Sequence, residues 1–187
     1  ACTFIGSSPI RLYAEDWTID RMLRVSEEAI VFAVREGLPV MYVTEDTTRA
    51  RPDVLKTLYT HAINCGAQRI CIADTVGHAT PQGVRQLVRF IRDEVVKPAG
   101  TDIKIDWHGH RDRGFGLANT FAAIETGVDR VHGQVLGGGP DVAHPPRHLQ
   151  ALEHPGRGGA GADRTGRAGL ALRAVGGARA IEAVALP

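Results

Sequence analysis

Two histidines one residue apart give this sequence its clearest chemical signal. They are His108 and His110 in DIKIDWHGHRDRGFGLAN, where an apolar, alternating run ends and glycines follow. Because alternate residues of a β-strand point to the same side, both imidazoles project together with Asp106. Two converging neutral imidazoles suit a divalent metal ion. The alternative is one solvent-facing histidine and one hydrogen-bonded core histidine, and the spacing alone leaves both interpretations open.

Polar side chains follow other apolar runs as well. Glu45 ends PVMYVTE, and a carboxylate there can orient water or transfer a proton. The alternative is a charge cluster at a helix N-terminus, capped by Asp46 or Thr48. Thr75 follows RICIAD and can bind a carboxylate, or it belongs to a plain turn. Arg11 in GSSPIR can hold a carboxylate, or it is a solvated surface arginine.

Alternating strands and helices must position these residues. The strands are predicted at CTFIGSS, PVMYVTE, RICIAD, DIKIDWH and DRVHGQV, and the helices at TIDRMLRVSEEAIVFAVREG, RPDVLKTLYTHAINCG, TPQGVRQLVRFIRDEVV and FGLANTFAAIETG. This alternation predicts an α/β fold with a parallel sheet, either doubly wound or a (β/α)₈ barrel. No GxGxxG follows the first strand, and polar residues cluster after several strands. Both features favour a barrel, of which four to five units are about half.

The bulk composition excludes several classes of protein. The 187 residues are 43% hydrophobic with a net charge of +1, so neither nucleic acid nor an anionic membrane is an expected partner. No apolar run approaches the roughly 20 residues that span a bilayer. The three cysteines are widely spaced and include no CxxC, which predicts buried, reduced thiols in a cytoplasmic protein.

The C-terminal part differs in composition. Residues 139–187 are rich in Gly, Ala, Arg and Pro and are predicted to form an atypical tail after a partial catalytic barrel domain at 1–138. Within the tail, ALRAVGGARAIEAVAL predicts a weak helix, and HPGRGGAGADRTGRAG predicts disorder. The chain begins without methionine, already inside a predicted strand, and we expect a fragment.

The motifs together resemble those of a known enzyme group. WHGHRDRGFGLANTFAAIETGVDRVHG, TEDTTR, DTVGHATP and GSSPIR occur in the order and spacing of the DRE-TIM metallolyase superfamily, over residues 1 to about 138. The resemblance is to its Claisen-condensing synthases, 2-isopropylmalate synthase above all, with citramalate and homocitrate synthases close by. It implies a (β/α)₈ barrel, here about strands 3–7, and a cytoplasmic enzyme of leucine biosynthesis whose full-length form is a homodimer.

The resemblance also implies the chemistry and the site residues. The family condenses acetyl-CoA with a 2-oxo acid at a divalent metal ion, Mg²⁺, Mn²⁺ or Zn²⁺. The implied roles are metal binding for His108 and His110, proton handling for Glu45, and substrate binding for Arg11 and Thr75 with Asn119 in support.

The sequence also departs from the family pattern. Arg111 replaces the Asn or Asp beside the second histidine, and we expect its side chain to point out of the strand. The first-strand Asp-Arg-Glu motif, which carries a third metal ligand, is missing. After LGGG the family's Gly-Glu-Arg continuation is replaced by PDVAHPP, which suggests a shifted reading frame or a degraded gene near Gly139. We therefore expect these 187 residues alone to be inactive. The other interpretations are a hydroxymethylglutaryl-CoA-type lyase and a non-catalytic remnant.

Overall fold

A parallel sheet organises the chain. The structure is a computed structural model that describes residues 1–132 and the backbone of two later strands. The strands are β1 (Cys2–Gly6), β2 (Met41–Glu45), β3 (Arg69–Asp74), β4 (Lys104–Gly109), β5 (Arg130–His132), β6 (Leu170–Val175) and β7 (Ala180–Ala185). β1 to β5 are parallel neighbours in chain order, and helices connect them. The predicted βα alternation and the partial-barrel fold class are confirmed.

The predicted helix in the tail is wrong. ALRAVGGARAIEAVAL contributes β6 and β7, which pair antiparallel, and β7 adds to β1 in parallel. Its alanines favour a helix, but the Gly176-Gly177 pair weakens one, and an unpaired edge of β1 offers backbone groups that a strand can satisfy. The boundary at 138/139 and the segment HPGRGGAGADRTGRAG lie outside the described residues.

The helices follow the predicted segments with shorter bounds. They are α1 (Pro9–Glu15), α2 (Ile19–Arg35), α3 (Pro52–Asn64), α4 (Pro81–Ile91), α5 (Lys97–Ala99) and α6 (Gly116–Glu125), with a π-helical turn at Arg92–Val96. Thr18 caps α2 by accepting from the Arg21 N–H, and Thr80 caps α4 by accepting from the Gly83 N–H, each at 3.2 Å. The short α1 was not predicted, although proline at its first turn favours a start there.

The core lies between the sheet and these helices. Trp107, Tyr42 and Ile70 on the strands are fully buried with Tyr59 and Leu58 of α3. In β1 and β2 buried residues alternate with partly exposed ones, so one face of the sheet packs on helices and the other is more open. The predicted site residues on β2 and β4 belong to the open face.

Two further expectations bear on the class of protein. In the described part of the chain, no helix is long and apolar enough to cross a membrane. All three cysteines are free thiols, as predicted, but only Cys71 is buried, while Cys2 and Cys65 are partly exposed.

Candidate metal and substrate site

The two imidazoles of the His-x-His segment face each other at the end of β4. Nε2 of His108 lies 3.2 Å from Nε2 of His110, and the ring centroids are 5.2 Å apart. The side-chain position of Gly109, between them, faces the helices, and a Cβ there would lie 2.7 Å from Nε1 of Trp107. The buried indole therefore requires glycine at the centre of the motif, which leaves both histidines on the open face.

The separation of the two nitrogens fits a shared ion. Two nitrogens bound at about 2.1 Å to one ion lie about 3.0 Å apart at a right angle and about 3.4 Å apart at the tetrahedral angle. The observed 3.2 Å falls between these values. Imidazole nitrogen is also a suitable donor for Zn²⁺. The pair could therefore provide two adjacent ligands with little rearrangement.

Backbone contacts join Thr75 to this pair. The His110 N–H donates to the carbonyl of Asp74 at 3.1 Å, which places Thr75 beside the second histidine. The Thr75 hydroxyl accepts from the Asp46 N–H at 2.8 Å, which ties the ends of β2 and β3 together. The Thr75 hydroxyl proton is not used in that bond and can be donated to a carboxylate.

Glu45 lies at the same edge of the sheet as the histidines. This edge, formed by the carboxyl ends of β1 to β4, is called the rim below. Register pairs place Gly6 opposite Glu45 and Ala73 opposite His108, with β3 between the two functional strands. At about 4.8 Å per strand, Glu45 is about 10 Å from His108 across the sheet. Glu45 and His108 thus lie on the two strands that flank β3.

Arg11 reaches Glu45 from α1. Its guanidinium lies 3.2 Å from the Glu45 carboxylate and 2.7 Å from Glu15, and all three side chains remain about one third exposed or more. Ser7 fixes the Glu45 backbone, because both its N–H and its hydroxyl donate to the Glu45 carbonyl at 3.0 and 2.8 Å. The Arg11 guanidinium thus lies beside Glu45 at the carboxyl end of β2.

Asn119 supports the rim from behind. It is completely buried, and its amide donates to the Ala79 carbonyl at 3.0 Å and to Asp74 at 3.5 Å. Asp74 is also buried and accepts from the Thr48 hydroxyl and the His78 N–H, both at 2.8 Å. Asn119 therefore holds the turn that carries Thr75 and does not reach the open face itself.

The acidic residue next to Glu45 has a structural role. Asp46 has a left-handed backbone conformation with φ of 60° and is the residue before a 3₁₀ turn at Thr47–Arg49, but its side chain makes no capping bond. Instead Arg49 binds it through two nitrogens at 2.6 to 3.0 Å. Asp46 and Arg49 of TEDTTR thus form an ion pair with each other, and Glu45 is the carboxylate of this segment that lies on the open face.

A buried cluster below the histidines was missed by the sequence reasoning. Asp106 is completely buried and is bound by Arg69 and by Nε2 of His132 at 3.0 Å. His132 also lies edge-on to His108, with ring centroids 5.6 Å apart. The strand register predicts this contact, since His132 pairs with His108, but a histidine without a nearby partner in sequence gave no such signal.

The charges around Asp106 set its ionisation. Burial alone would raise its pKa, but hydrogen bonds from His132 and Arg69 outweigh burial and hold the pKa below the ordinary aspartate value. Asp106 is therefore a fixed negative charge beneath the histidine pair. Through His132 it orients a ring that contacts His108.

Arg111 leaves the motif on the helix side. A Cβ added at Gly116, the first residue of α6, would lie 2.7 Å from the Cβ of Arg111, and the arginine is exposed. This contact places the Cβ of Arg111 beside α6, and the outward direction of its guanidinium stays a prediction. Among the described residues, no third His, Cys, Asp or Glu joins His108 and His110 at ligand distance.

Comparison with known proteins assigns the family. The sequence model of the family described as HMGL-like matches residues 2–176, which is most of the chain. The chain belongs to the HMGL-like family. Relatives named as 2-isopropylmalate synthases and homocitrate synthases, described next, confirm the motif resemblance to these enzymes.

Curated members of the HMGL-like group are longer than this chain. The 2-isopropylmalate synthase of Halothermothrix orenii is 34% identical over 135 residues, which are 72% of this chain and 26% of the relative. The homocitrate synthase of Saccharolobus solfataricus is 37% identical over 140 residues, which are 74% of this chain and 29% of the relative. The chain thus spans little more than a quarter of the length of these two relatives.

Solved structures share the fold of this HMGL-like chain. The hydroxymethylglutaryl-CoA lyase of Pseudomonas aeruginosa superposes with a TM-score of 0.62 at 20% identity, over 74% of this chain and 48% of the lyase. The lyase of Acinetobacter baumannii, solved with coenzyme A and 3-methylmalate, gives 0.58 at 23% identity, over 74% and 47%. At these identities the likeness concerns the fold alone.

Proposed function

We propose that the protein is a 2-isopropylmalate synthase-like acyltransferase of leucine biosynthesis that condenses acetyl-CoA with a 2-oxo acid in the cytoplasm. One observation carries the proposal. The two imidazoles converge within 3.2 Å on a rim that continues through Thr75 to Glu45. Relatives named for this chemistry share about a third of the aligned residues.

In this proposal His108 and His110 hold a divalent metal ion, Mg²⁺, Mn²⁺ or Zn²⁺. When bound, the ion supplies a Lewis acid that polarises the keto group of the oxo acid and stabilises the charge that develops on its oxygen. His132 restrains His108 through their ring contact, and Asp106 restrains His132 by a hydrogen bond.

The remaining rim residues bind substrate and handle protons. The Thr75 hydroxyl donates to the oxo-acid carboxylate while its oxygen stays bonded to the Asp46 N–H. Glu45 takes up or passes on the proton lost by the acetyl methyl group, and Arg11 at 3.2 Å orients that carboxylate. Asn119 keeps the Thr75 turn in place from the buried side.

Metal binding by the histidine pair is the first test. Mn²⁺ titrated into the 187-residue chain is followed by the loss of the free-ion electron paramagnetic resonance signal. His108→Gln and His110→Gln should each weaken binding at least about tenfold, since even residues behind the ligands cost that much. His78→Gln is the matched control, because its exposed side chain follows the same rim. Equal Mn²⁺ affinity in all four proteins would contradict the assignment.

Turnover is the second test. Release of CoA thiol from acetyl-CoA is measured with 3-methyl-2-oxobutanoate, pyruvate or 2-oxoglutarate, both for the 187-residue chain and for the longest gene product that contains it. We expect release only from the longer product, as a homodimer, and a loss of about 10² to 10⁴ in kcat for Glu45→Gln. Metal binding without thiol release in the longer product would instead indicate a non-catalytic remnant.

A lyase is the weaker alternative. Hydroxymethylglutaryl-CoA lyases share the fold with this chain, but only at low identity. The cysteines Cys2, Cys65 and Cys71 all precede the His-x-His segment, whereas the lyase carries a cysteine in a glycine loop after it. Cleavage of hydroxymethylglutaryl-CoA by the longer product, without condensation, would favour the lyase.

A further inference from the structure

A second group of metal-ligating side chains lies away from the rim. Glu27 on α2, His61 on α3 and Cys65, the residue after α3 ends, bring one ligand atom each within 4.8 Å of one another. Among the described residues this is the one group of three or more such side chains at this spacing. His61 and Cys65 are four residues apart, so they share one side of the helix end.

The distances around His61 match those of a bound ion. Nε2 of His61 lies 3.6 Å from Oε2 of Glu27 and 3.7 Å from Sγ of Cys65. Around a tetrahedral zinc ion, a bound nitrogen and oxygen lie about 3.4 Å apart, and a bound nitrogen and sulfur lie about 3.6 Å apart. The two distances from Nε2 thus differ from these values by only one or two tenths of an ångström, and the Glu27 oxygen and the Cys65 sulfur lie within 4.8 Å of each other.

Hydrogen bonding alone does not account for the three polar neighbours of His61 Nε2. Nε2 of His61 also lies 3.1 Å from the Leu23 carbonyl, so three neighbours surround one ring nitrogen. A single N–H can serve only one of them well. The Leu23 carbonyl already accepts the helical bond from the Glu27 N–H within α2. A bound ion replaces the proton on Nε2, which then resides on Nδ1, and the Leu23 carbonyl keeps its helical bond.

We propose that Glu27, His61 and Cys65 form a zinc site that joins α2 to α3, with water completing the coordination. One thiolate, one imidazole and one carboxylate are ligands of Zn²⁺, whereas Mg²⁺ and Ca²⁺ prefer oxygen ligands only. Cys65 binds as the thiolate and releases its proton to solvent. The site is independent of the rim histidines.

Cobalt provides the spectroscopic test, since Co²⁺ replaces zinc and gives a near-ultraviolet charge-transfer band only when a thiolate is bound. We expect this band when Co²⁺ is added to the reduced chain, and its bleaching by Zn²⁺. Cys65→Ser should abolish the band, and His61→Gln should weaken Co²⁺ binding at least about tenfold. Cys2→Ser and the double variant His108→Gln/His110→Gln should keep it. Circular dichroism verifies that each variant is folded.

Thiol protection provides a second measurement on the unaltered chain. Zn²⁺ should slow alkylation of Cys65 by iodoacetamide at least tenfold and leave Cys2, which is also partly exposed, unchanged. Glu27→Gln should reduce the protection. No charge-transfer band, a band that survives Cys65→Ser, or equal protection of both cysteines would each overturn the proposal, and none of these results depends on enzyme activity.

Discussion

Asp106→Asn tests whether the buried charge beneath the histidine pair holds β3, β4 and β5 together. The carboxylate is fully buried and is bound by Arg69 and His132, with Arg130 at 3.8 Å. Removing one partner of a fully buried ion pair costs about 3 to 5 kcal/mol. The Arg69 and His132 side chains are 23% and 26% exposed, so water partly replaces the lost charge. We expect a loss of about 2 to 3 kcal/mol.

Urea unfolding of the 187-residue chain, followed by tryptophan fluorescence, measures this loss. With an m-value of about 1 to 3 kcal/mol/M, the midpoint should fall by roughly 0.7 to 3 M. Asp102→Asn is the matched control, because Asp102 pairs with Lys104 at 2.9 Å but is 82% exposed. Its effect should stay within about 0.5 kcal/mol. If the two variants unfold at the same urea concentration, the buried cluster does not stabilise the sheet.

The pH dependence of the same variant follows from the direction of the pKa shift. The pKa of Asp106 is lowered in the folded chain, because hydrogen bonds from His132 and Arg69 outweigh the effect of burial. Its ionisation therefore stabilises the fold above the unfolded pKa of about 3.9, and this contribution is lost as pH falls through the lower folded value. The difference between the unmodified chain and Asp106→Asn should shrink below about pH 4. A difference that keeps growing below about pH 4 would contradict the reasoning.

Three further predictions concern packing, a thiol and a cap. Gly109→Ala should lower the free energy of unfolding in urea by about 1 to 3 kcal/mol, because the new Cβ would lie 2.7 Å from Trp107. Gly83→Ala in α4 should raise it by about 0.5 to 1 kcal/mol, because the nearest atom to its new Cβ is 3.4 Å away. Changes of the same sign in both variants would contradict this prediction. Burial and the nearby Asp106 carboxylate raise the pKa of the Cys71 thiol well above its ordinary value, so mass spectrometry should find it unalkylated until urea unfolds the chain. Thr80→Ala should cost about 1 kcal/mol by removing the cap of α4, and an unchanged urea midpoint would argue against that cap.

Much of the fold follows from local patterns in the sequence. Alternating apolar runs and amphipathic helices predicted five parallel strands, and the helical segments predicted to start at Thr18 and Thr80 begin one residue later in the structure. Such features depend on residues close in the chain. The tail was misjudged for the same reason, since an alanine-rich segment favours a helix locally and becomes a strand only because β1 offers an edge.

Some features of the candidate site also follow from local sequence patterns, and others depend on contacts between distant residues. The sequence by itself determined that His108 and His110 share a face, because the period of a strand is two residues, and that Gly109 lies between them. Only the tertiary structure decided that His132 lies against His108, that Asp106 anchors it, and that Glu27 meets His61 and Cys65. Those contacts join residues 24 to 38 positions apart, and their distances depend on how strands pair and helices pack, which no local pattern specifies.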